Sequence, residues 1–203
     1  MNDRFEIREL IENWVVWRDA GDWDRFATVW HDDGWMMTTW FQAPAGDFIE
    51  RSRKAFASGL QVLHMLGGSS IDVSGVRAVA HTKMEIIQRA EVHGVKVDVR
   101  CQGRFVDALE KREGRWGFVL RQPVYELDSM QPVHPTETLT LDPELLARFP
   151  EGYRNLAYLQ VHLGMDVYKS MPGTRGSEID GLNRRMSDWL AGMPISELLD
   201  ECA

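Results

Sequence analysis

Three long stretches of strand character, Val76 to Glu91, Val95 to Leu109 and Arg115 to Leu127, follow one another with only tight connectors between them. In the middle stretch Val95, Val97, Val99, Cys101 and Phe105 alternate with Lys96, Asp98, Arg100, Gln102 and Arg104. That period of two belongs to a strand with one apolar face and one polar face. His93-Gly94 and Glu110-Lys111-Arg112-Glu113-Gly114 are hairpin connectors. The run therefore predicts an antiparallel meander that must bury one side against something else.

The cover is predicted upstream. Ile7, Leu10, Ile11, Trp14 and Val15 recur at helical spacing, which gives an amphipathic helix from about Asp3 to about Arg18. Ala20-Gly21-Asp22 ends it, and Trp23, Phe26, Val29 and Trp30 mark a short second helix. His31-Asp32-Asp33-Gly34 is turn chemistry, followed by a strand-like run from Trp35 to Phe41 and a helix from Asp47 to about Ser58. Gln61 to Leu66 and Ser69 to Val73 are short strand pieces interrupted by Gly67-Gly68. The expected class is α+β: a cone-shaped, curled antiparallel or mixed sheet packed on N-terminal helices. From about Gln131 the texture changes, with Pro132, Pro135 and Pro143 and helical patterns at Asp142–Phe149, Glu151–Met165 and Ser177–Ala191. Residues 1–130 are thus read as the cone and 131–203 as a helical C-terminal extension. The extension is expected to pack on the cone or on a neighbouring subunit.

Composition narrows the partners. With 23 basic against 31 acidic residues the formal charge is −8, which disfavours nucleic acid and anionic membrane as binding surfaces. The expected partner is a small apolar molecule. Six of the eight tryptophans fall in the first forty residues, at positions 14, 17, 23, 30, 35 and 40, a density that suits the wall of an apolar cavity. Cys101 and Cys202 stand in unrelated surroundings, which points to a reducing compartment. The N-terminus lacks the pattern of a signal peptide, and no apolar run reaches membrane-spanning length. A cytoplasmic location is expected.

His64 lies in the apolar run Val62-Leu63-His64-Met65-Leu66. Alone it reads as a core histidine satisfied by a backbone carbonyl. As a base it needs a carboxylate to set its tautomer and stabilise the imidazolium. Asp19, at the end of the first helix among Trp17, Trp23 and Phe26, is the candidate.

Ile7-x-x-Leu10, Asp19-x-x-x-Trp23, Phe26, Trp30-x-Asp32-Asp33, His64, Gly103-Arg104-Phe105-x-Asp107 and Gly114-x-Trp116-x-Phe118-x-x-Arg121 resemble the SnoaL-like branch of the nuclear transport factor 2-like superfamily. The resemblance spans roughly residues 3 to 128. It is similar in order and spacing to scytalone dehydratase, bile acid dehydratase and hexachlorocyclohexane dehydrochlorinase, which carry an Asp–His pair. It implies Asp19 and His64 as the catalytic pair, Arg121 as support near a leaving group, and a lyase that needs no cofactor. Trp14, Trp17, Trp23, Phe26, Trp40, Cys101, Phe105 and Tyr125 are the expected substrate-binding wall. The dehydratase relatives place tyrosines in the pocket, where the first helix here offers Trp14 and Trp17. Leaving-group protonation then falls to Arg121, Tyr125, water or His64.

Asp98 and Arg100, two apart on one strand, form a second constellation resembling the water-activating pair of limonene epoxide hydrolase-like members. Their polar neighbours Lys96, Gln102 and Arg104 favour a solvated or interfacial ladder instead. His81 stays open between pocket and outer face. His31, His93, His134 and His162 show no metal-ligand spacing, so no metal is expected. The readings are a dehydratase, dehydrohalogenase or isomerase acting through His64 and Asp19; a non-catalytic binding or oligomerisation domain; and epoxide-type hydration. A homo-oligomer, dimer or trimer, is expected.

Overall fold

The computed structural model describes residues 2–200, with side chains described as far as residue 199; Cys202 lies outside them. The elements in order are α1 (Asp3–Ala20), α2 (Trp23–Thr28), β1 (Trp30–Met37), β2 (Gln42–Pro44), α3 (Ala45–Ala57), β3 (Gln61–Ser74), β4 (Arg77–Val92), β5 (Val95–Arg112), β6 (Arg115–Pro132), α4 (Pro143–Leu146), α5 (Arg154–His162), α6 (Ser177–Ala191) and α7 (Ile195–Asp200). The fold is α+β, with one six-stranded sheet in the order β2-β1-β6-β5-β4-β3. Every neighbouring pair is antiparallel except β1 with β6, so the sheet is mixed, curled and unclosed.

Helix α1 forms where the sequence asks for it. The Asn2 side chain accepts a hydrogen bond from the Arg4 N–H at 3.0 Å, capping the first turn, and Asp3 and Glu6 complement the positive end of the dipole. Its buried face is Ile7, Ile11, Trp14, Val15 and Arg18. Gly21, at φ 71°, takes the left-handed position that closes the helix C-terminally. Both meander turns place two residues at positive φ, His93 and Gly94 (51° and 79°) and Glu113 and Gly114 (52° and 81°). That is the geometry of a two-residue hairpin whose twist matches the flanking strands.

Curvature comes from irregular register. Strand β3 is continuous, and Gly67-Gly68 makes a bulge within it between the Leu66–Met84 and Ser69–Thr82 pairs. The glycines bend the strand rather than ending it. At Gly103 a Cβ would meet the Val124 carbonyl oxygen at 2.0 Å, so only glycine lets β5 and β6 approach closely at their register shift. The supposed turn at His31-Asp32-Asp33-Gly34 is likewise inside β1, which starts at Trp30 and stops at Met37. Its pairing with β6 shifts between Trp30 and Trp35, so the turn residues bulge without leaving the sheet.

One face of the sheet packs on α1, α2, α3 and α5 through Ile7, Trp14, Phe26, Phe48, Phe105, Tyr125 and Leu156. The opposite face is polar over Lys96–Arg104 of β5 and apolar from Val106 on. There Val79, Val106, Ala108, Leu120 and Val124 are covered by Ile179, Leu182, Met186 and Trp189 of α6 and Leu198 of α7. The sequence pattern found α6 with its observed limits and missed α7; the helices expected at Asp142–Phe149 and Glu151–Met165 are shorter in the structure, as α4 and α5. The extension thus lies on both faces of its own chain's sheet.

Arg77 fastens α6. Its guanidinium lies 4.1 Å from the centre of the Trp189 ring and donates to the Trp189 and Met193 carbonyls at 3.0 and 2.7 Å. Trp189→Ala should cost about 3–5 kcal/mol in urea unfolding by opening a cavity on this face. A loss below 1 kcal/mol would mean that α6 does not hold this face closed.

Candidate active site

Asp19 sits in the last turn of α1, where the helix dipole disfavours a negative charge. His64 offsets that. Its backbone N–H donates to one carboxylate oxygen of Asp19 at 2.6 Å, and its Nδ1 lies 2.8 Å from the other. The Arg18 guanidinium adds a contact to Asp19 at 3.2 Å and donates to the Val62 carbonyl at 3.3 Å. A carboxylate only accepts, so Nδ1 carries the proton and Nε2 is the unprotonated nitrogen of the neutral ring.

Both side chains are nearly enclosed. Burial lowers the proton affinity of His64, the hydrogen bond and charge of Asp19 oppose it, and Arg18 and Arg121 add to the lowering; the net shift is downward. Burial pushes Asp19 up, but His64 and Arg18 outweigh it and its carboxyl is held below the ordinary value. The resting pair at neutral pH is aspartate and neutral imidazole.

His64 lines a cavity of about 400 Å³. Of the aromatic positions expected to form its wall, Trp14, Trp40, Phe105 and Tyr125 do so. The Trp14 ring meets the imidazole edge-on, with centres 5.4 Å apart, and Phe105 lies 6.2 Å from it. Trp17, Trp23, Phe26 and Cys101 do not line the cavity. Trp23 and Phe26 pack against each other behind Trp14. The Cys101 thiol is buried and donates to the Gly152 carbonyl at 3.5 Å. The first helix turns only Trp14 and Arg18 to the cavity because residues four apart share a face.

Arg121 does not line the cavity either. It is fully buried and paired through two hydrogen bonds, 2.7 and 2.8 Å, with Asp107, itself fully buried. The guanidinium is packed among Trp14, Phe105 and Phe118, with ring centres 4.5, 4.3 and 4.3 Å away. An arginine foreseen beside the leaving group therefore stands behind the cavity wall. Asp98 and Arg100 face the other side of the sheet. Asp98 pairs with Arg89 at 2.6 and 2.7 Å and Arg100 with Glu85 at 3.2 Å, an outer ladder instead of a water-activating pair.

Sequence reasoning missed the polar lining. Thr38, Thr39, Arg51, Ser52, Gln88 and Gln160 all border the cavity, and Met165 and Asp166 from the extension close part of its rim. Gln88 stood in a run read only as strand, and Gln160 in a helix read for its apolar stripe. The signal available was a polar residue on an otherwise apolar face. Tyr125 is hydrogen-bonded with Thr39, and burial, above all, raises its phenol far above the ordinary value, so it stays protonated.

A SnoaL-like domain model matches residues 1–122, and the chain belongs to that family. Pea pathogenicity protein 2 of Fusarium vanettenii is 37% identical over 196 residues, covering 93% of this chain and 84% of its own length, so the likeness continues through the C-terminal extension. Among solved structures, a hexachlorocyclohexane dehydrochlorinase superposes with a TM-score of 0.55 at 14% identity, covering 68% of this chain and 93% of its own. A protein described as a scytalone dehydratase, from Novosphingobium aromaticivorans, gives 0.51 at 18% identity, covering 65% and 88%. At these identities the two structures speak for the fold.

Removing one partner of the Arg121–Asp107 pair strands a charge. Asp107→Ala is expected to lose about 3–5 kcal/mol in denaturant unfolding, while Asp107→Leu with Arg121→Met should recover most of it. If Asp107→Ala proves neutral, the pair does not hold the rings in place.

Proposed function

We propose that this chain is a cofactor-independent lyase or isomerase that removes a proton from carbon in a small, largely apolar cyclic substrate. One observation carries the reading: Asp19 engages both the Nδ1 and the backbone N–H of His64, and the imidazole borders a cavity walled by aromatic rings with polar groups between them. His64 Nε2 acts as the general base. Asp19 holds the tautomer and stabilises the imidazolium that forms. Enclosure by Trp14, Trp40 and Phe105 keeps water from competing and strengthens the interaction between the paired groups. The fold shared with a dehydratase and a dehydrochlorinase supports elimination of water or halide as the reaction type. Arg121 contributes a positive charge from behind the wall and touches no substrate. The protonated phenol of Tyr125, which lines the same cavity, is placed to donate to a departing oxygen.

The test is turnover on a panel of cyclic alcohols and halides, scored by release of water-loss product or halide. His64→Ala should lower kcat/KM by about 10²–10⁴-fold and Asp19→Asn should lower it as well, both with an unchanged fold by circular dichroism. Wild-type activity in His64→Ala would overturn the assignment.

The acid limb of the rate profile should fall below the ordinary histidine value of about 6.5, because the base is active only when neutral and burial lowers its proton affinity. Stability follows the same sign. The folded His64 binds fewer protons than the unfolded chain, so its contribution is complete above about pH 6.5 and declines as pH falls toward the lowered folded value. A profile whose acid limb lies above 6.5 would contradict this.

A further inference from the structure

Arg18 carries a buried charge that is loosely anchored. It is 9% exposed and borders the cavity. It makes two hydrogen bonds, to Asp19 at 3.2 Å and to the Val62 carbonyl at 3.3 Å, and its Nε–H has no partner among the described residues. Arg121, the buried arginine over Trp14, instead holds Asp107 by two bonds of 2.7 and 2.8 Å. A buried cation held as loosely as Arg18 serves stability poorly, because long contacts do not offset its removal from water. A buried donor left unpaired calls for another explanation.

Its position relates it to the base. The Asp19 oxygen that Arg18 approaches is the one that accepts from His64 Nδ1. Two nitrogens reaching one oxygen stand within about 6 Å of each other, a range at which a charge on one acts on the other. The other charges around the pair are matched in sign. Arg121 is paired with Asp107 behind the wall, and Arg89 with Asp98 in the groove that Asp19 also lines. Arg51 of α3 and Asp166 of the extension border the cavity with opposite charges. Arg18 is thus the charge that balances Asp19.

We propose that Arg18 is a positioning residue that keeps His64 free to accept a proton, by forming with Asp19 a pair of zero net charge beside the imidazole. This rests on His64 being the base. Beside a bare carboxylate an imidazole gains by protonating, and Nε2 would be occupied before a substrate entered. Beside a neutral pair that gain shrinks, and burial leaves the ring unprotonated. The same balance serves the reaction. When the C–H proton passes to Nε2, its bonding pair stays with the substrate, which gains one negative charge. Arg18, Asp19 and the imidazolium then sum to one positive charge on the wall facing it. Without Arg18 that sum would be zero. The hydrogen bond to Val62, two residues before His64 on β3, keeps the cation in register with the base.

Histidine side-chain NMR tests this without a substrate. Protein labelled with ¹⁵N-histidine is titrated, and the signals missing from His64→Ala identify His64. In the wild type the ring should carry its proton on Nδ1 and titrate below the ordinary value of about 6.5. In Arg18→Met the midpoint should rise by about one pH unit or more. Arg18→Lys keeps the charge and should titrate near the wild type. Circular dichroism checks the fold, and Arg18→Gln replaces Arg18→Met should the latter not fold. An unmoved or lowered midpoint in the folded uncharged variant overturns the proposal, and so does an Arg18→Lys midpoint that rises as far. The wild-type titration needs no substitution, and a midpoint above 6.5 there overturns the proposal by itself. The expected titrations together with full turnover in His64→Ala uphold the charge balance and instead sink the base.

Discussion

The contact between Asp19 and His64 joins the architecture to the chemistry. One carboxylate oxygen takes the backbone N–H of an edge strand and the other takes the side chain of the same residue. Strand β3 has one sheet neighbour, β4, so its free edge needs another partner. The last turn of α1 supplies it, and the carboxylate that an isolated helix would disfavour there becomes the fastening. Because the backbone hydrogen bond fixes the position of the strand, the ring hydrogen bond inherits that position. The imidazole is oriented by the fold itself, before any substrate arrives.

The cavity follows from the way the sheet is curled. The bulge at Gly67-Gly68 and the close approach at Gly103 wrap β3 to β6 around the aromatic end of α1. The curl leaves a mouth, bordered by α3 on one side and by Leu156, Gln160, Gly164, Met165 and Asp166 of the extension on the other. The extension therefore does two unlike things: α6 and α7 cover an apolar area on the outer face, and the segment from α5 to Asp166 narrows the cavity. The fungal relative matches across nearly the whole chain, so both tasks belong to a unit larger than the SnoaL-like domain alone.

Much of this was legible in the sequence, for identifiable reasons. Alternation in β5 and the positive-φ hairpin pairs made the meander visible, since both are local. The Asp19–His64 pairing was legible only through motif order, because a helix-end aspartate and a strand histidine 45 positions apart carry no local mark. Bulges were misread as breaks. At Gly67-Gly68 and at His31–Gly34 the local chemistry is that of a turn, and only pairing with β4 and β6 keeps the chain in the sheet. The tryptophan cluster foretold a cavity but not which rings face it. Trp14 is turned to the cavity and Trp17 is not, a difference of three positions on α1 that depends on where β3 crosses the helix. Gln88 and Gln160 escaped because nothing local distinguishes a polar residue turned to a cavity from one turned to solvent.

Arg121 shows how a motif can be kept while its role moves. Its place at the end of the Gly-x-Trp strand suggested a cation beside the leaving group. The structure instead gives it a partner, Asp107, and three aromatic faces. A guanidinium engaged in this way has spent its planar fork on a carboxylate and its faces on rings, the combination for which arginine is suited and lysine is not. Two of those rings, Trp14 and Phe105, are also the aromatic neighbours of the His64 imidazole. The charge pair thus acts as a keel under the wall: it packs against the rings, and the rings shape the space beside the imidazole. Its charge reaches His64, where it adds to the lowering of the imidazole's proton affinity, and its packing against the rings is a separate, mechanical effect. In this chain the cation holds the shape of the cavity wall, and under the proposed mechanism stabilisation of developing negative charge falls to groups that border the cavity.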